Sequence, residues 1–267
     1  MKTKLQRLLR PLGIMAAAAV IVMALGFVER TSDRTPVTEL RVEVGEAGGV
    51  HFVDGNTVRE RVLAAQNGLV GTPMGGVDAA RIETDLRTVP FVRSADVYHT
   101  MDGVLHVRVE QRTPIVRVIN SDGTSFYIDR DGLTMPLSDA WTARVLVATG
   151  DLHEPFVTGT HDTAANDSLA RATRSAAIHR LAAYIGNDPT WSALIDQVVV
   201  DARGEFELVP RIGQMRIAIG NGEELDQRFA KLRGFYAKGI AQGGWRKYAR
   251  IDLRFTDQVV ATERTPS

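Results

Sequence analysis

Cysteine is absent from the 267-residue chain, which excludes disulfides, thiolate metal sites, cysteine nucleophiles and the lipid-modified N-terminus of a bacterial lipoprotein. Net charge is absent as well, because 32 basic residues balance 32 acidic ones, so the overall charge gives no case for nucleic-acid binding. Hydrophobic residues make up 44% of the chain and charged residues 24%, which is the composition of a folded protein with about one to three domains.

Recognisable catalytic and cofactor motifs are also missing. The six histidines lack metal-binding spacing such as H-E-x-x-H, and no glycine-rich phosphate loop or G-x-S-x-G elbow is present. His161-Asp162 is an isolated dipeptide, and Glu223 and Glu224 fall in the first turn of a predicted helix, where the helix dipole stabilises acids. The three tryptophans are scattered and are interpreted as packing residues. We therefore expect a scaffold, adaptor or binding module with no enzyme activity, cofactor, metal or small-molecule substrate.

One long apolar run lies near the N-terminus, at residues 11–28, and contains no charged residue. At about 1.5 Å per residue, a helix of this length would span about 27 Å, close to the roughly 30 Å hydrocarbon core of a membrane. The tail before it, residues 1–10, carries only basic charges. By the positive-inside rule, this predicts a cytoplasmic tail, a transmembrane helix and export of the remaining chain. The basic residues are Lys2, Lys4, Arg7 and Arg10.

A cleaved signal peptide is the alternative interpretation of this segment. Ala24-Leu25-Gly26 resembles the small-x-small pattern of a cleavage site. The apolar run is longer than the usual signal core of about 7 to 15 residues, which favours an uncleaved anchor in the inner membrane. A polar linker at residues 29–36 then leads to the exported part.

The first exported segment, residues 37–112, has the predicted order β-α-α-β-β. Residues 37–44 alternate in polarity as a strand does, and Asn56-Thr57 with Glu60 suggests a capping box for the first of two helices. A second helix and a hairpin follow, and the hairpin turns at Asp102-Gly103. A sheet of three strands needs helices over one face to be stable, so we expect a small α+β domain.

The second exported segment, residues 113–262, is rich in predicted strands. Meandering antiparallel strands come first, followed by a helix at about 166–185, a suggested short helix at about 191–195, three more strands and a helix that begins at Asn221-Gly222. A closing strand and a short tail at 263–267 complete the chain. The predicted fold class is α+β: one N-terminal transmembrane helix, the small β-α-α-β-β domain, and a mixed antiparallel β-rich domain with two helices.

The closing strand is predicted at residues 250–259. Its polarity alternates, so we expect Ile251, Leu253 and Phe255 to share the core face and Asp252, Arg254 and Thr256 to share the other. Phe255 could instead face a partner. No further strand is predicted beyond it, so one edge of the sheet is expected to be open.

Several of these segments resemble the bacterial cell-division family FtsQ/DivIB, in the form found in Bacteroidetes-like bacteria. VPFVRSADVYHTMDGVLHVRVEQRTPI is similar to the last two strands of the family's POTRA domain, and FYIDRDGLTMPLS resembles the opening hairpin of its β domain. The close of the β domain resembles ELVPRIGQMRIAIGN, FAKLRGFYAKGI and GWRKYARIDLRFTDQVV. The resemblance extends over nearly the whole chain.

The resemblance implies a non-enzymatic, single-pass protein of the inner membrane at the division septum, with its N-terminus in the cytoplasm and its domains in the periplasm. Its implied partners are FtsB- and FtsL-like bitopic proteins and, through them, the septal peptidoglycan synthases. The family's last strand pairs with a strand of FtsB. Transferred to this sequence, the partner-binding residues are Arg250, Ile251, Asp252, Leu253, Arg254, Phe255, Thr256, Asp257, Gln258 and Val259.

Two other functions remain open from the sequence. One is a POTRA-containing adaptor for secretion or outer-membrane transport, which would bind substrate polypeptides along the POTRA sheet edge. Its C-terminal region would normally be a membrane channel, whereas residues 113–262 show no series of lipid-facing strands of about ten residues. The other is an anchored enzyme acting on peptidoglycan, and the only support for it is the expected location of the protein.

Overall fold

The computed structural model describes residues 33–45, 51–156, 162–163, 173–240 and 244–265, together with Val20, Met23 and Gly49. The predicted transmembrane segment 11–28 lies outside these residues apart from Val20 and Met23. No helix in the described part of the chain is long and apolar enough to cross a membrane. The chain divides into two compact units, the first ending at Gln111 and the second beginning at Arg112, with Ala47–Phe52 grouped with the second.

The first unit has the predicted order β-α-α-β-β. The elements are β1 (Glu39–Gly45), α1 (Gly55–Ala65), a 3₁₀ turn (Met74–Gly76), α2 (Ala79–Arg87), β2 (Val92–His99) and β3 (Val104–Gln111). Strands β1 and β3 are parallel, β2 and β3 are antiparallel, and the sheet order is β1-β3-β2. The two helices bury four apolar residues: Val58, Val62, Ile82 and Leu86.

The helix starts in this unit are fixed by aspartates. Asp54 accepts a hydrogen bond from the backbone N–H of Thr57 at 2.7 Å and caps α1, so the predicted capping box at Asn56-Thr57 is wrong by a few residues. The earlier start follows because the extended Asp54 carries the carboxylate that satisfies a free N–H of the first turn. Asp78 caps α2 in the same way, accepting from the backbone N–H of Arg81 at 3.0 Å.

The second unit contains one nine-stranded sheet among the described residues. Its strands are β4 (Pro114–Ile119), β5 (Ser125–Asp129), β6 (Thr134–Met135), β7 (Leu146–Gly150), β8 (Ile195–Val200), β9 (Phe206–Pro210), β10 (Arg216–Gly220), β11 (Tyr248–Asp252) and β12 (Val260–Glu263). Their order in the sheet is β12-β11-β10-β9-β8-β7-β4-β5-β6. Three α-helices accompany the sheet, where two were predicted and a further short one near Trp191 was suggested. Its helices are α3 (Ser175–Asn187), α4 (Pro189–Leu194), α5 (Leu225–Phe235) and a π-helical turn (Tyr236–Ile240).

This sheet is mixed, and the parallel pairing of β4 with β7 corrects the expectation that the strands at the start of this unit form an antiparallel meander. β7 pairs in parallel with β4 and with β8, and β10 pairs in parallel with β11. Parallel neighbours need a long crossover between them, whereas antiparallel neighbours need only a short turn. Helices α3 and α4 lie in the connection from β7 to β8, and α5 lies in the connection from β10 to β11. The helices therefore lie in the crossovers of two of the three parallel pairs, whereas β5 and β6 lie in the connection of the third, from β4 to β7.

The core of the second unit forms where these helices meet the sheet. Trp191 is 2% exposed and its ring lies 5.1 Å from that of Phe229, so the interpretation of Trp191 as a packing residue is confirmed. Leu181 of α3, Phe206 of β9 and Ile251 of β11 belong to the same buried cluster. This single core extends as far as β11 and holds that strand in place near the end of the sheet.

Candidate partner-binding edge of the second sheet

The predicted closing strand at 250–259 is wrong in its extent, because the structure divides it. β11 ends at Asp252, residues 253–259 leave the sheet, and β12 runs back antiparallel from Val260. Asp252 provides a physical reason, since its carboxylate accepts from the backbone N–H of Arg254 at 3.0 Å. Such local side-chain bonds compete with the hydrogen-bond ladder of a strand.

A lysine on α5 fixes the chain where it leaves the sheet. The Lys231 Nζ donates to the carbonyl oxygens of Leu253 at 2.8 Å and Phe255 at 2.6 Å, while the N–H of Leu253 donates to the Ala218 carbonyl at 2.9 Å. Lys231 thus holds two backbone carbonyls through its side chain and not through a neighbouring strand. The segment after Leu253 is therefore a tethered loop.

β12 covers the outer side of β11 and becomes the edge strand. Asp252 lies opposite Val260, and Arg250 lies opposite Thr262. The backbone N–H of Arg264 continues this pairing by donating to the Lys247 carbonyl at 2.8 Å. An open edge at residues 250–259 was predicted, but residues 250–252 are in fact the second strand from the edge.

The backbone groups that β12 leaves open follow from this register. The N–H of Arg264 points toward β11, and backbone groups alternate in direction along a strand. The N–H and C=O groups of Ala261 and Glu263 therefore point away from β11. No described strand lies beside them in the sheet. The chain thus presents unpaired donors and acceptors along a short edge of four residues, Val260–Glu263.

The side chains of the predicted site residues fall into different environments. Ile251 and Leu253 are fully buried, as expected. Phe255 is 46% exposed, so of the two orientations left open for it from the sequence, the one toward the core is wrong. Asp252 was expected on the solvent face and is buried instead, with 8% exposed. Val259 packs partly against the core, and Arg250 is half-buried. The exposed members are Arg254, Phe255, Thr256, Asp257 and Gln258.

Acids and arginines form a network beneath this loop. Arg254 donates to Asp252 through Nη2 at 2.6 Å and to Glu205, in the turn before β9, through Nη1 at 2.6 Å. Arg250 forms an ion pair with Glu207 of β9. Burial favours a raised pKa for Asp252, but the hydrogen bonds from Arg254 and its positive charge outweigh burial, so the pKa lies below its ordinary value. The network therefore stabilises the charged form of Asp252.

Replacing Asp252 with asparagine is expected to lower the free energy of unfolding at pH 7 by about 2 kcal/mol, the scale of lost charge-assisted hydrogen bonds. Because the folded pKa lies below the unfolded value near 3.8, this stabilisation is present above pH 3.8 and is lost as the pH falls through the folded pKa. The difference between Asp252→Asn and the unchanged chain should shrink in acid. Urea titrations at pH 7 and at pH 3 measure it.

The control for this prediction is Asp257→Asn, which changes an exposed acid in the same loop. We expect its unfolding free energy to match that of the unchanged chain at both pH values, to within about 0.5 kcal/mol. A deficit of Asp252→Asn that is as large at pH 3 as at pH 7 would show that lost packing, and not lost charge, destabilises the variant.

Other acidic positions considered in the sequence have structural partners. Glu223 pairs with Arg180 at 3.0 Å and Glu224 with Arg228 at 3.7 Å. Both acids precede α5, which begins at Leu225, so their predicted place in its first turn is corrected. His161 lies outside the described residues. Within the described ranges, no group of three or more histidine, aspartate or glutamate side chains is arranged to hold a metal ion.

Lys231 and Glu205 are site residues that sequence reasoning missed. Lys231 lies 22 and 24 positions from the carbonyls that it binds, and Glu205 lies 49 positions from Arg254. Neither belongs to a motif or to the local polarity pattern of the closing segment. Only the crossover through α5 and the pairing of β9 with β10 bring them to the loop.

The fold and its sheet edge define a class of protein, in which a POTRA-like domain precedes a mixed β-sheet domain. Residues 36–110 match the family model of the POTRA-like domain, and residues 113–262 match the model described as FtsQ/DivIB, C-terminal related. The second match covers more than half of the chain. The chain therefore belongs to the FtsQ/DivIB family of cell-division proteins, which confirms the resemblance seen in its sequence.

Two curated proteins illustrate the extent of the similarity. The cell division protein FtsQ of Rhodothermus marinus is 28% identical over 202 residues, which are 72% of this chain and 68% of that protein. The cell division protein FtsQ of Salinibacter ruber is 27% identical over 262 residues, 94% of this chain and 91% of that protein. The similarity to the Salinibacter protein therefore extends over both units.

Proposed function

We propose that this chain is a non-enzymatic scaffold of the bacterial divisome. It binds FtsB- and FtsL-like bitopic proteins by accepting a strand of the partner at the edge of β12, and it helps to assemble and regulate the septal peptidoglycan synthases through them. The observation that carries this proposal is the open row of backbone groups at Ala261 and Glu263 in a member of a cell-division family. Main-chain hydrogen bonds to such an edge supply affinity without any catalytic group.

The membrane arrangement of this scaffold follows from the charge pattern of the sequence. In the proposal, residues 1–10 lie in the cytoplasm, residues 11–28 span the inner membrane, and residues 29–36 link the span to the periplasmic part. The POTRA domain comprises residues 37–112 and the β domain residues 113–262. The basic tail before the uncharged apolar run supports this orientation, and the division septum is the proposed location.

The proposed site combines β12 with the loop predicted from the sequence. The loop at 254–259 joins β11 to β12, so a strand added to β12 ends beside it. Phe255 offers an exposed aromatic face there, and Arg254 is held in a fixed position by Asp252 and Glu205. β11 takes part indirectly, since its pairing with β12 sets the direction of the edge.

Proline at position 261 tests the proposal. Ala261→Pro removes the outward N–H of β12 and places a ring on the open edge, while the hydrogen bonds to β11 remain, because proline is tolerated where the N–H faces solvent. We expect affinity for the periplasmic fragment of the same organism's FtsB-like protein to fall at least about tenfold. Biolayer interferometry with the purified chain measures it.

Ala261→Ser is the matched control, because it keeps the backbone N–H and should bind like the unchanged chain. A chain shortened after Val259 separates strand addition from displacement of β12. It loses binding if the partner adds to β12 and keeps binding if the partner replaces it. Undiminished binding by an Ala261→Pro variant that unfolds at the normal urea concentration would contradict strand addition.

A further inference from the structure

A pocket of about 720 Å³ opens at one end of the second sheet, within the second unit. The turn between β9 and β10 contributes Arg211 and Ile212, the segment before β11 contributes Trp245 and Arg246, and Arg264 follows β12 directly. Three arginines and two large apolar side chains therefore line one concave surface. None of these residues belongs to the edge or the loop described above.

The pocket carries more positive charge than its own surroundings neutralise. Arg211 is paired with Asp196, with its Nη2 3.0 Å from the carboxylate. Arg264 donates only to neutral oxygens, to the Gln214 side chain at 3.1 Å and to the Gln214 carbonyl at 3.0 Å. Arg246 makes no hydrogen bond or ion pair with any residue in the described ranges. Two of the three guanidinium groups thus lack an acidic partner among those residues.

Arg264 is held in place before any partner arrives. Two of its five N–H donors are committed to Gln214, and its backbone N–H donates to Lys247 at 2.8 Å. The remaining donors are free to bind an anion. A planar guanidinium fixed in this way loses little conformational freedom when it binds a carboxylate, and it binds carboxylates with two parallel hydrogen bonds.

The two apolar side chains of the pocket, Ile212 and Trp245, indicate which class of ligand it binds. Ile212 is 53% exposed, and the Trp245 ring rests on Tyr236 with ring centres 5.2 Å apart. A small inorganic anion would leave both apolar groups in contact with water. A peptide segment with an acidic and an apolar side chain would satisfy the arginines and cover Ile212 as well. The concave shape suits a side chain better than the surface of a bilayer.

The position of Arg264 connects the pocket with the sheet edge. Because Arg264 comes directly after Glu263, a polypeptide that runs along β12 reaches the pocket at one end of its path. Resting on the proposed strand addition, we infer that the pocket binds a glutamate or aspartate side chain of that same partner, next to the segment that pairs with β12. An apolar neighbour of this acid lies against Ile212 and Trp245.

Charge reversal at each of the two arginines that lack an acidic partner among the described residues tests this inference. Arg246→Glu and, separately, Arg264→Glu should weaken binding of the periplasmic fragment of the FtsB-like protein about tenfold at low salt. The difference in affinity between each variant and the unchanged chain should shrink in 0.5 M NaCl, because ionic screening weakens the attraction between the arginines and the partner's acid in the unchanged chain. Arg246→Glu leaves the fold intact, since Arg246 has no partner among the described residues; a urea titration of each variant checks this.

Arg144→Glu is the control, since this exposed arginine precedes β7, which is five strands from β12 in the sheet. Its affinity should be unchanged. A peptide of five glutamates should compete with the partner fragment for the unchanged chain, and a peptide of five lysines should not. If sulfate at the same total charge competes as well as the glutamate peptide does, the pocket is a general anion site, and the inference that it binds a peptide side chain is overturned.

The outcomes separate this inference from the proposed function. Normal binding by both arginine variants, together with lost binding by Ala261→Pro, overturns the pocket and leaves strand addition standing. Weakened binding by the arginine variants with normal binding by Ala261→Pro supports the pocket and overturns strand addition. Arginine variants that lose binding only to phosphatidylglycerol vesicles, and not to the partner fragment, would show that the pocket contacts lipid and overturn the inference.

Discussion

Alanine at position 150 is expected to lower the unfolding free energy of the second unit by at least about 3 kcal/mol. Gly150 ends β7 with φ of +107°, and a Cβ atom there would lie 2.1 Å from the Val200 carbonyl oxygen and 2.7 Å from its nitrogen. These are backbone atoms of the adjacent strand, so no side-chain rotation relieves the clash. Relief would separate β7 from β8 in the middle of the sheet, where Gly150 and Val200 are paired.

Tryptophan fluorescence in a urea titration measures this effect selectively, because Trp141, Trp191 and Trp245 all lie in the second unit. Gly123→Ala is the matched control. Gly123 has φ of +89° but open space around the position of its missing Cβ, so only the backbone strain remains, about 1 kcal/mol. Equal losses in the two variants would show that strain alone, and not the contact with Val200, sets the cost.

Removal of the Glu154 carboxylate is expected to lower the free energy of unfolding by about 3 kcal/mol, the scale of leaving buried hydrogen-bonding groups unpaired. Glu154 is 5% exposed, and its side chain accepts hydrogen bonds from the backbone N–H groups of Arg174 and Ser175, both at 2.8 Å, and from Ser175 Oγ at 2.5 Å. These N–H groups belong to the start of α3, where a helix has no internal acceptors for them. Glu154→Ala leaves the buried N–H and hydroxyl of Ser175 and the partly buried N–H of Arg174 without this acceptor, and an unpaired buried group costs about 1–3 kcal/mol.

Glu154→Gln distinguishes the charge from the shape of this side chain. The amide keeps one acceptor oxygen but directs an NH₂ group toward N–H donors, so we expect a loss of about half that of Glu154→Ala, measured by the same urea titration. Glu223→Gln, which alters an exposed acid paired with Arg180, should change the free energy by less than about 1 kcal/mol. A Glu154→Gln variant as stable as the unchanged chain would show that the negative charge at α3 contributes nothing.

The position of Glu154 also shows why part of the fold escaped sequence analysis. Residues 150–167 resemble a loop by composition, and nothing local marks Glu154 as the cap of a helix that begins at Ser175. Asn120, which follows β4, fixes it from the other side, with its amide bound to the Glu154 carbonyl at 2.7 Å and its oxygen bound to the Glu154 N–H at 2.9 Å. Three segments that are distant in sequence meet there. Contacts of this kind leave no periodic pattern in the sequence, so they could not be predicted from it.

The first unit was the most predictable part of the chain. Its strands alternate in polarity, Asp78 stands at the start of a helix, and Asp102-Gly103 marks a hairpin turn, in which Gly103 has φ of +88°. Each signal arises from neighbours within one turn or one hairpin. The order β-α-α-β-β therefore followed from local physical chemistry, although the start of α1 did not.

The location of the candidate site in the chain could be predicted from the sequence, but its strand arrangement could not. The alternation around Ile251 and Leu253 predicted correctly that a strand at the end of the chain contributes to the core. It could not reveal that Lys231 binds the carbonyls of Leu253 and Phe255, or that Asp252 turns the chain at Arg254. These contacts end β11 early and allow β12 to fold back over it.

By itself, the sequence determined the two-domain order, the α+β class, the family and the segment in which the chain's last strands lie, because polarity patterns and turn residues act over a few positions. Only the tertiary structure decided which strand is the edge. The parallel pairing of β10 with β11 requires a crossover, and that crossover brings Lys231 to the closing loop. The open backbone groups consequently belong to Ala261 and Glu263, while Ile251 is sealed between neighbours on both sides.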